Sequence, residues 1–163
     1  MYKDYIIEVP NFPIKGVNFK DISPLLSDHR TFRSAVADMG RLVKNPDYWV
    51  GIDARGFIFA SALSMVYGGG VVMCRKKGKL PPPVVSESYS LEYDTSTLEI
   101  KDGKGTAVIV DDVLATGGTL RAVNVLANKA GYDVKENLVL IDLKYVPKVV
   151  DLNLKVRSLI SYE

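Results

Sequence analysis

The chain of 163 residues has few of the residues that most often bind metals or carry redox chemistry. It contains one cysteine, Cys74, and one histidine, His29. A single cysteine cannot form an internal disulfide bond, which favours a reducing, cytoplasmic setting. No apolar run approaches the roughly 20 residues that a transmembrane helix needs, and residues 1–5 lack a signal-peptide core. The sequence therefore predicts neither a membrane protein nor a zinc or disulfide scaffold.

A strong charge of either sign is also lacking. The 21 lysine and arginine residues and the 19 acidic residues leave a net charge of +2. This balance gives no support for a nucleic-acid or membrane-surface partner. Hydrophobic residues make up 47% and charged residues 25%, which is the usual globular balance and argues against disorder. With no internal repeat or linker, we expect one domain spanning residues 1–163.

Apolar runs alternate with segments of helical spacing. Apolar residues within Arg55 to Tyr67, and within Leu120 to Ala130, recur near helical spacing, and glycine follows each segment. Four apolar runs predict buried strands, at residues 48–52, 71–74, 106–110 and 138–141. This alternation predicts an α/β fold with a mostly parallel, twisted sheet flanked by helices.

Two segments do not follow this alternation. The N-terminal segment carries Pro10, Pro13, Gly16 and Pro24 and is interpreted as an extended arm that wraps the domain. Residues 75–97 form a connection longer than the about 12–15 residues usual in a compact domain, which favours an active-site lid. A solvated surface hairpin is the alternative for this second segment.

Residues 108–120, VIVDDVLATGGTL, carry the strongest local signal. Two acids, Asp111 and Asp112, follow a predicted strand, and a glycine-rich turn then opens a helix. In open α/β folds ligands bind at the carboxyl ends of strands, and a glycine-rich turn before a helix can hold a phosphate. The two carboxylates repel phosphate but can accept hydrogen bonds from a diol. The segment therefore indicates a phosphorylated sugar, although a merely polar turn stays the simpler alternative.

Two common nucleotide motifs are missing from this segment. It lacks the G-x-x-x-x-G-K-[ST] pattern of P-loop proteins and the G-x-G-x-x-G pattern of dinucleotide-binding folds. VIVDDVLATGGTL instead resembles the phosphoribosyl-pyrophosphate (PRPP) signature of type I phosphoribosyltransferases. Further segments narrow the resemblance to the adenine phosphoribosyltransferases: FPIKGVNFKDISPLL (12–26), GIDARGFIFA (51–60), RKKGKLP (75–81), YSLEYDTSTLEI (89–100) and the terminal residues 161–163.

The resemblance implies the type I phosphoribosyltransferase fold with a flexible hood loop. It also implies a purine-salvage transferase that joins adenine to the phosphoribosyl group of PRPP, releasing AMP and pyrophosphate. Alternatives are another purine base as acceptor, or a PRPP-sensing regulatory domain without catalysis. Mg²⁺ is the implied cofactor, held mainly by substrate oxygens. A homodimer is implied because a basic residue of the family, here Arg75, can reach a neighbouring subunit.

Site residues follow from the same resemblance. Asp111 and Asp112 would hold the ribose hydroxyls and favour the cationic transition state. Glu92, with Tyr93 beside it, would act on adenine from the hood; an ordinary exposed acid is the alternative for Glu92. The rest of the implied PRPP site consists of Arg75, Lys76, Lys79, Ala115, Thr116, Gly117, Gly118 and Thr119.

The implied adenine site consists of Asn18, Phe19 and Arg55. Arg55 matches the base-contacting arginine of the family, while an ion pair with Asp53 is its structural alternative. Phe19 matches an apolar wall of the base pocket. Asn18 stands where the family usually has an apolar residue, and Lys20 stands where arginine is common, so the base preference beyond adenine is left open.

Overall fold

The computed structural model describes residues 1–90, 95–149 and 152–163. A short 3₁₀ helix, Tyr2–Tyr5, opens the chain. The α-helices are α1 (Ser23–Ser27), α2 (His29–Arg41), α3 (Gly56–Tyr67) and α4 (Gly118–Lys129). The strands are β1 (Ile7–Pro10), β2 (Asn18–Asp21), β3 (Tyr48–Ile52), β4 (Gly70–Lys76), β5 (Val85–Ser90), β6 (Thr95–Ile100), β7 (Gly105–Leu114), β8 (Tyr132–Leu143) and β9 (Val156–Tyr162).

Seven strands form the main sheet in the order β5-β6-β4-β3-β7-β8-β9. The pairs β3–β4, β3–β7, β7–β8 and β8–β9 are parallel, whereas β4–β6 and β5–β6 are antiparallel. The predicted α/β class with a mostly parallel sheet is confirmed. The antiparallel edge shows that the sheet extends into residues that the sequence predicted as a loop.

Hydrophobic cores cover both faces of this sheet. On one face α2 and α3 contribute Met39, Phe59 and Leu63, which are fully buried. On the other face α4 contributes Val123 and Leu126. Burying each such side chain contributes about 1.5–3 kcal/mol. This explains why the strands between the two cores are almost continuously apolar.

Strands β3 and β7 lie side by side at the centre of the sheet. Gly51 pairs with Val110 in their parallel register, so the carboxyl ends of both strands meet at one edge. Beyond β3 the chain turns towards α3 through residues 53–55. Beyond β7 it turns into α4 through residues 115–117. Two loops that are far apart in sequence therefore come together there, as expected at the ligand-binding edge of such folds.

Two expectations from the sequence need correction. The N-terminal segment is not an extended arm, because β1 and β2 form an antiparallel pair in a separate two-stranded sheet. The described part of residues 75–97 is not a simple loop, because β5 and β6 form a hairpin that joins the main sheet. The segment thus contains a hairpin, and its role as an active-site lid stays a prediction. Strand β5 alternates exposed and half-buried residues, as an edge strand does. Its sequence is polar, which is why no strand was predicted there.

Candidate active site

A cavity of about 580 Å³ opens at the carboxyl ends of β3 and β7. Its polar lining combines three acids, one arginine and the turn before α4. The lining residues are Ile52, Asp53, Ala54, Arg55, Asp111, Asp112, Val113, Leu114, Ala115, Thr116, Gly117, Thr119, Leu120 and Val139. The cavity is therefore built from the two segments that the sequence singled out around residues 51–60 and 108–120.

The acid pair lies at the carboxyl-terminal part of β7. Asp112 is buried, with 4% of its surface exposed, and Asp111 is half-buried. The backbone N–H of Asp112 donates a 2.9 Å hydrogen bond to Oδ1 of Asp111. Burial, together with the neighbouring charge of Asp112, raises the pKa of Asp111 well above its ordinary value. The pair thus retains a proton more readily than two separate surface acids would.

Arg55 connects the acid pair to the N-terminal hairpin. Its Nε lies 2.6 Å from Oδ2 of Asp112, while its guanidinium lies 5.0 Å from the ring centre of Phe19. Although the two groups form an ion pair, no N–H is aligned with Oδ2 of Asp112. Among the described residues, this oxygen therefore has no hydrogen-bond donor. The alternative pairing of Arg55 with Asp53 is wrong: Asp53 instead accepts a 3.2 Å hydrogen bond from Nε of Arg75.

Gly56 allows α3 to begin directly against β7. A Cβ on Gly56 would lie 2.5 Å from the carbonyl oxygen of Val110 and 3.3 Å from Oδ1 of Asp111. Only a residue without a side chain fits this approach. The absence of a Cβ thereby sets how closely the neighbouring Arg55 approaches the acids.

The glycine-rich turn is shaped as a cradle at the start of α4. Gly117 has a φ of 86°, in the left-handed region, and precedes the first residue of the helix. A Cβ on Gly117 would also lie 2.5 Å from Cδ2 of Leu152. The N–H of Gly118 points towards Oγ1 of Thr116 at 3.5 Å. The cradle thus presents backbone N–H groups, hydroxyls and the positive end of the helix dipole to an anion.

The basic segment contributes unequally to this site. Arg75 is half-buried and is held at Asp53 beside the cavity. Lys76 and Lys79 are exposed and do not line it. Lys76 ends β4, and the turn that carries Lys79 is fixed by the N–H of Gly78, which donates a 3.3 Å hydrogen bond to the buried Glu99. Arg75 does not line the cavity either, but it contacts the lining residue Asp53, whereas the two lysines are exposed.

The residues predicted to bind the base fall on opposite faces of β2. Phe19 packs against Phe12 at 5.2 Å, edge to face, and lies under Arg55. Asn18 and Lys20 point the other way, since successive residues of a strand alternate. Both contact Glu8 at 2.9 Å. Hence the two departures from the family pattern do not place a different side chain on the Phe19 face.

Lys20 is an unusual buried cation on that opposite face. It is 4% exposed, and its Nζ lies 4.1 Å from the ring centre of Tyr162 and 2.9 Å from Oε2 of Glu8. An ion pair and an aromatic face together offset the desolvation of its charge. This cluster fastens β2 to β9.

Sequence reasoning missed Asp53 and Ala54 as cavity residues. Their position directly after the apolar strand β3 was the signal that could have identified them.

Glu92 and Tyr93 lie outside the described residues. Cys74 is fully buried, and burial raises the pKa of its thiol to about 12, so it is a protonated core residue.

Two absences concern the described residues. Within residues 1–90, 95–149 and 152–163, no group of three or more histidine, cysteine or acidic side chains is arranged to hold a metal ion. In the same part of the chain, no helix has the length and apolar character needed to cross a membrane.

The family model of the phosphoribosyl transferase domain matches residues 33–142. This range contains β3, β7 and the cradle of α4, so fold and site define the class as a phosphoribosyltransferase. The adenine phosphoribosyltransferase of Bdellovibrio bacteriovorus is 43% identical over 162 residues, covering 98% of each chain. That of Mycoplasma mobile is 43% identical over 165 residues, covering 98% of this chain and 96% of its own. The chain belongs to the adenine phosphoribosyltransferase family.

Solved structures agree with this assignment. The adenine phosphoribosyltransferase from Thermoanaerobacter pseudethanolicus matches with a TM-score of 0.92 and 37% identity, covering 99% of this chain and 98% of its own. The enzyme from Giardia lamblia, complexed with 9-deazaadenine, matches with a TM-score of 0.91 and 30% identity, covering 99% and 96%. The whole described fold is thus that of the family.

Proposed function

We propose that this chain transfers the phosphoribosyl group of PRPP to adenine through the cavity at the ends of β3 and β7. The observation that carries the proposal is the convergence there of the Asp111–Asp112 pair, the cradle at 115–119 and Arg55. Near full-length similarity to adenine phosphoribosyltransferases supports the same reaction. The products are AMP and pyrophosphate.

The acid pair is assigned to the ribose. Oδ2 of Asp112 is a buried acceptor that lies 2.6 Å from Nε of Arg55 but has no aligned hydrogen-bond donor among the described residues, so it can still accept a hydrogen bond from a ligand. A ribose hydroxyl would supply the missing donor. The carboxylates would also favour the positive charge that grows on the ribose as the bond to pyrophosphate breaks.

The cradle formed by residues 115–119 is assigned to the 5′-phosphate. Its backbone N–H groups and the hydroxyls of Thr116 and Thr119 match a tetrahedral anion. The cradle and Asp112 line the same cavity, so one ribose 5-phosphate could contact both. Both ends of a ribose 5-phosphate would then be held by one loop, which lowers the entropy cost of orienting it.

Adenine is assigned to the space between the β1–β2 hairpin and Arg55. Phe19 offers an apolar ring to the base, and the guanidinium of Arg55 offers N–H donors to ring nitrogens. Asn18 would contribute only backbone atoms, because its side chain points to Glu8. Glu92 would act on the base from the segment outside the described residues, either accepting a proton or orienting the ring.

Pyrophosphate is assigned to the side of the cavity where Arg75 meets Asp53, with Lys76 at the end of β4 and Lys79 on the turn that follows. Mg²⁺ would be carried mainly by substrate oxygens and water. When bound, it would neutralise phosphate charge. The chain's own contribution is to position the sugar and the base and to exclude water.

An exposed apolar surface is assigned to a homodimer contact. Met65 and Val66 on α3 are 86% and 57% exposed, and Val71 and Met73 on β4 are 40% and 45% exposed. Val71, Met73 and Arg75 alternate onto one face of β4. A second copy seated there would bring this strand face close to a neighbouring subunit. Sedimentation of the parent chain and of Met65→Asp tests this: the dimer should dissociate in the variant.

A panel of radiolabelled bases tests the proposed activity. Adenine, hypoxanthine and guanine are each incubated with PRPP and Mg²⁺, and the nucleotide products are separated. We expect AMP from adenine and release of pyrophosphate. Product from an oxopurine alone would reassign the base, and PRPP binding without any turnover would indicate a sensor. The double variant Asp111→Asn/Asp112→Asn serves as the inactive control.

A further inference from the structure

Strand β5 is fastened to helix α4 at both ends of the helix. In the last turn of α4, Nζ of Lys129 donates a 2.9 Å hydrogen bond to the carbonyl of Ser86 and lies 3.4 Å from Glu87. In the first turn, Oγ1 of Thr119 lies 3.3 Å from the hydroxyl of Tyr89. The strand of the edge hairpin therefore lies along the helix whose N-terminus forms the phosphate cradle.

The contact at the first turn joins two hydroxyls. Either Tyr89 or Thr119 can donate the proton of this hydrogen bond. Thr119 lines the cavity and has a single proton. When that proton is donated to a phosphate oxygen, Oγ1 of Thr119 can only accept from Tyr89. A phosphate in the cradle thus selects one direction for the hydrogen bond.

We infer that Tyr89 is a positioning residue, which directs the hydroxyl of Thr119 to the 5′-phosphate and ties β5 to the occupied cradle. The inference rests on the proposed function, because it needs the phosphate at residues 115–119. A hydrogen bond that donates to an anion strengthens the one behind it in a chain. Phosphate therefore reinforces the Tyr89–Thr119 contact, and the contact in turn favours binding of any ligand that carries a 5′-phosphate.

The inference predicts a loss of affinity for ligands that carry a 5′-phosphate and no loss for ligands that lack one. Ribose 5-phosphate and AMP place a phosphate in the cradle, whereas pyrophosphate and adenine use other parts of the site. Tyr89→Phe keeps the ring and removes only the donor. We expect it to weaken ribose 5-phosphate and AMP about two- to tenfold, the effect of one lost neutral hydrogen bond. Pyrophosphate affinity should stay at the parental value.

Calorimetric titration with ribose 5-phosphate, AMP and pyrophosphate provides the measurement. Tyr48→Phe is the matched control, because Tyr48 is also half-buried but lies at the amino end of β3, where its ring packs against Tyr132. The control should bind all three ligands as the parent does. Thermal unfolding of each variant shows whether the fold is retained.

A double-mutant cycle with Thr119→Val decides the outcome. On the Thr119→Val background, Tyr89→Phe should cause no further loss for ribose 5-phosphate. Additive losses would overturn the inference, as would a Tyr89→Phe variant that binds ribose 5-phosphate normally or loses pyrophosphate equally. If Thr119→Val itself bound ribose 5-phosphate normally, the phosphate assignment under the proposed function would fail first.

Discussion

Substituting Gly56 by alanine tests whether the close approach of α3 to β7 organises the site. Alanine in a helix is ordinarily favoured over glycine by about 0.5–1 kcal/mol. Here its Cβ would lie 2.5 Å from the carbonyl oxygen of Val110, which is far inside van der Waals contact. Overpacking of this kind costs about 1–3 kcal/mol. We therefore expect Gly56→Ala to destabilise the chain by about 1–2 kcal/mol despite its better helix propensity.

The same displacement should disturb catalysis. Relief of the clash moves the start of α3, and with it Arg55, away from Asp112, which is now 2.6 Å from it. Since a misplacement of about 1 Å can cost on the order of 100-fold in rate, kcat/KM for adenine should fall at least tenfold. Urea unfolding gives the stability change, and initial rates with varied adenine and varied PRPP give the kinetic change.

Gly118→Ala is the matched stability control. Gly118 is likewise the first residue of a helix, but a Cβ there would meet only Thr116 and Val149, each at 3.8 Å. Its stability should stay within about 1 kcal/mol of the parent, on the favourable side. If Gly56→Ala were as stable as this control and kept the parental kcat/KM, the argument from close approach would be refuted.

Three further perturbations address the acids, Arg55 and the cradle. Asp111→Asn should stabilise the chain in urea at neutral pH; the raised pKa of Asp111 means that stability is lost as pH rises above the ordinary value of about 3.9, so the gain should vanish below that pH. Equal stability of parent and variant from pH 4 to 8 would contradict this. Arg55→Gln leaves the buried Asp112 without its cation and should raise the KM for adenine, whereas an unchanged KM would remove Arg55 from the base site. Gly117→Ala should weaken ribose 5-phosphate at least tenfold in calorimetry, because the left-handed φ and the contact with Leu152 both exclude a Cβ; parental affinity would show that the cradle adapts.

The central strands and the cradle were predictable because their signals are local. Strand β7 is a continuous apolar run that ends in two acids, and a glycine-rich turn follows at once. A strand that is buried on both faces requires a continuous apolar run. A phosphate site at a helix N-terminus requires a turn of small residues directly after the strand. The acid pair and the cradle can therefore be predicted from thirteen consecutive residues, 108–120.

The rest of the site depends on contacts between distant segments. The pairing of Asp53 with Arg75 requires that β3 and β4 be parallel neighbours, which no short pattern specifies. The pairing of Arg55 with Asp112 requires β3 beside β7. Strand β5 was not predicted because its own sequence is polar. The buried residues next to it, such as Leu98, belong to β6 and are visible only once the two strands are paired. Side-chain direction at Asn18 likewise depends on the register of β1 and β2.

The two-stranded sheet of β1 and β2 shares no strand with the seven-stranded sheet. Phe19, the proposed wall for the base, thus belongs to a small module, whereas the acids and the cradle belong to the main sheet. The apolar wall of the base pocket can then change under selection without a change in the acids or the cradle, whereas Arg55 contacts both sides of the site. Grafting residues 7–21 from a relative with another acceptor preference should change the nucleobase accepted, while the recipient's affinity for ribose 5-phosphate is inherited intact.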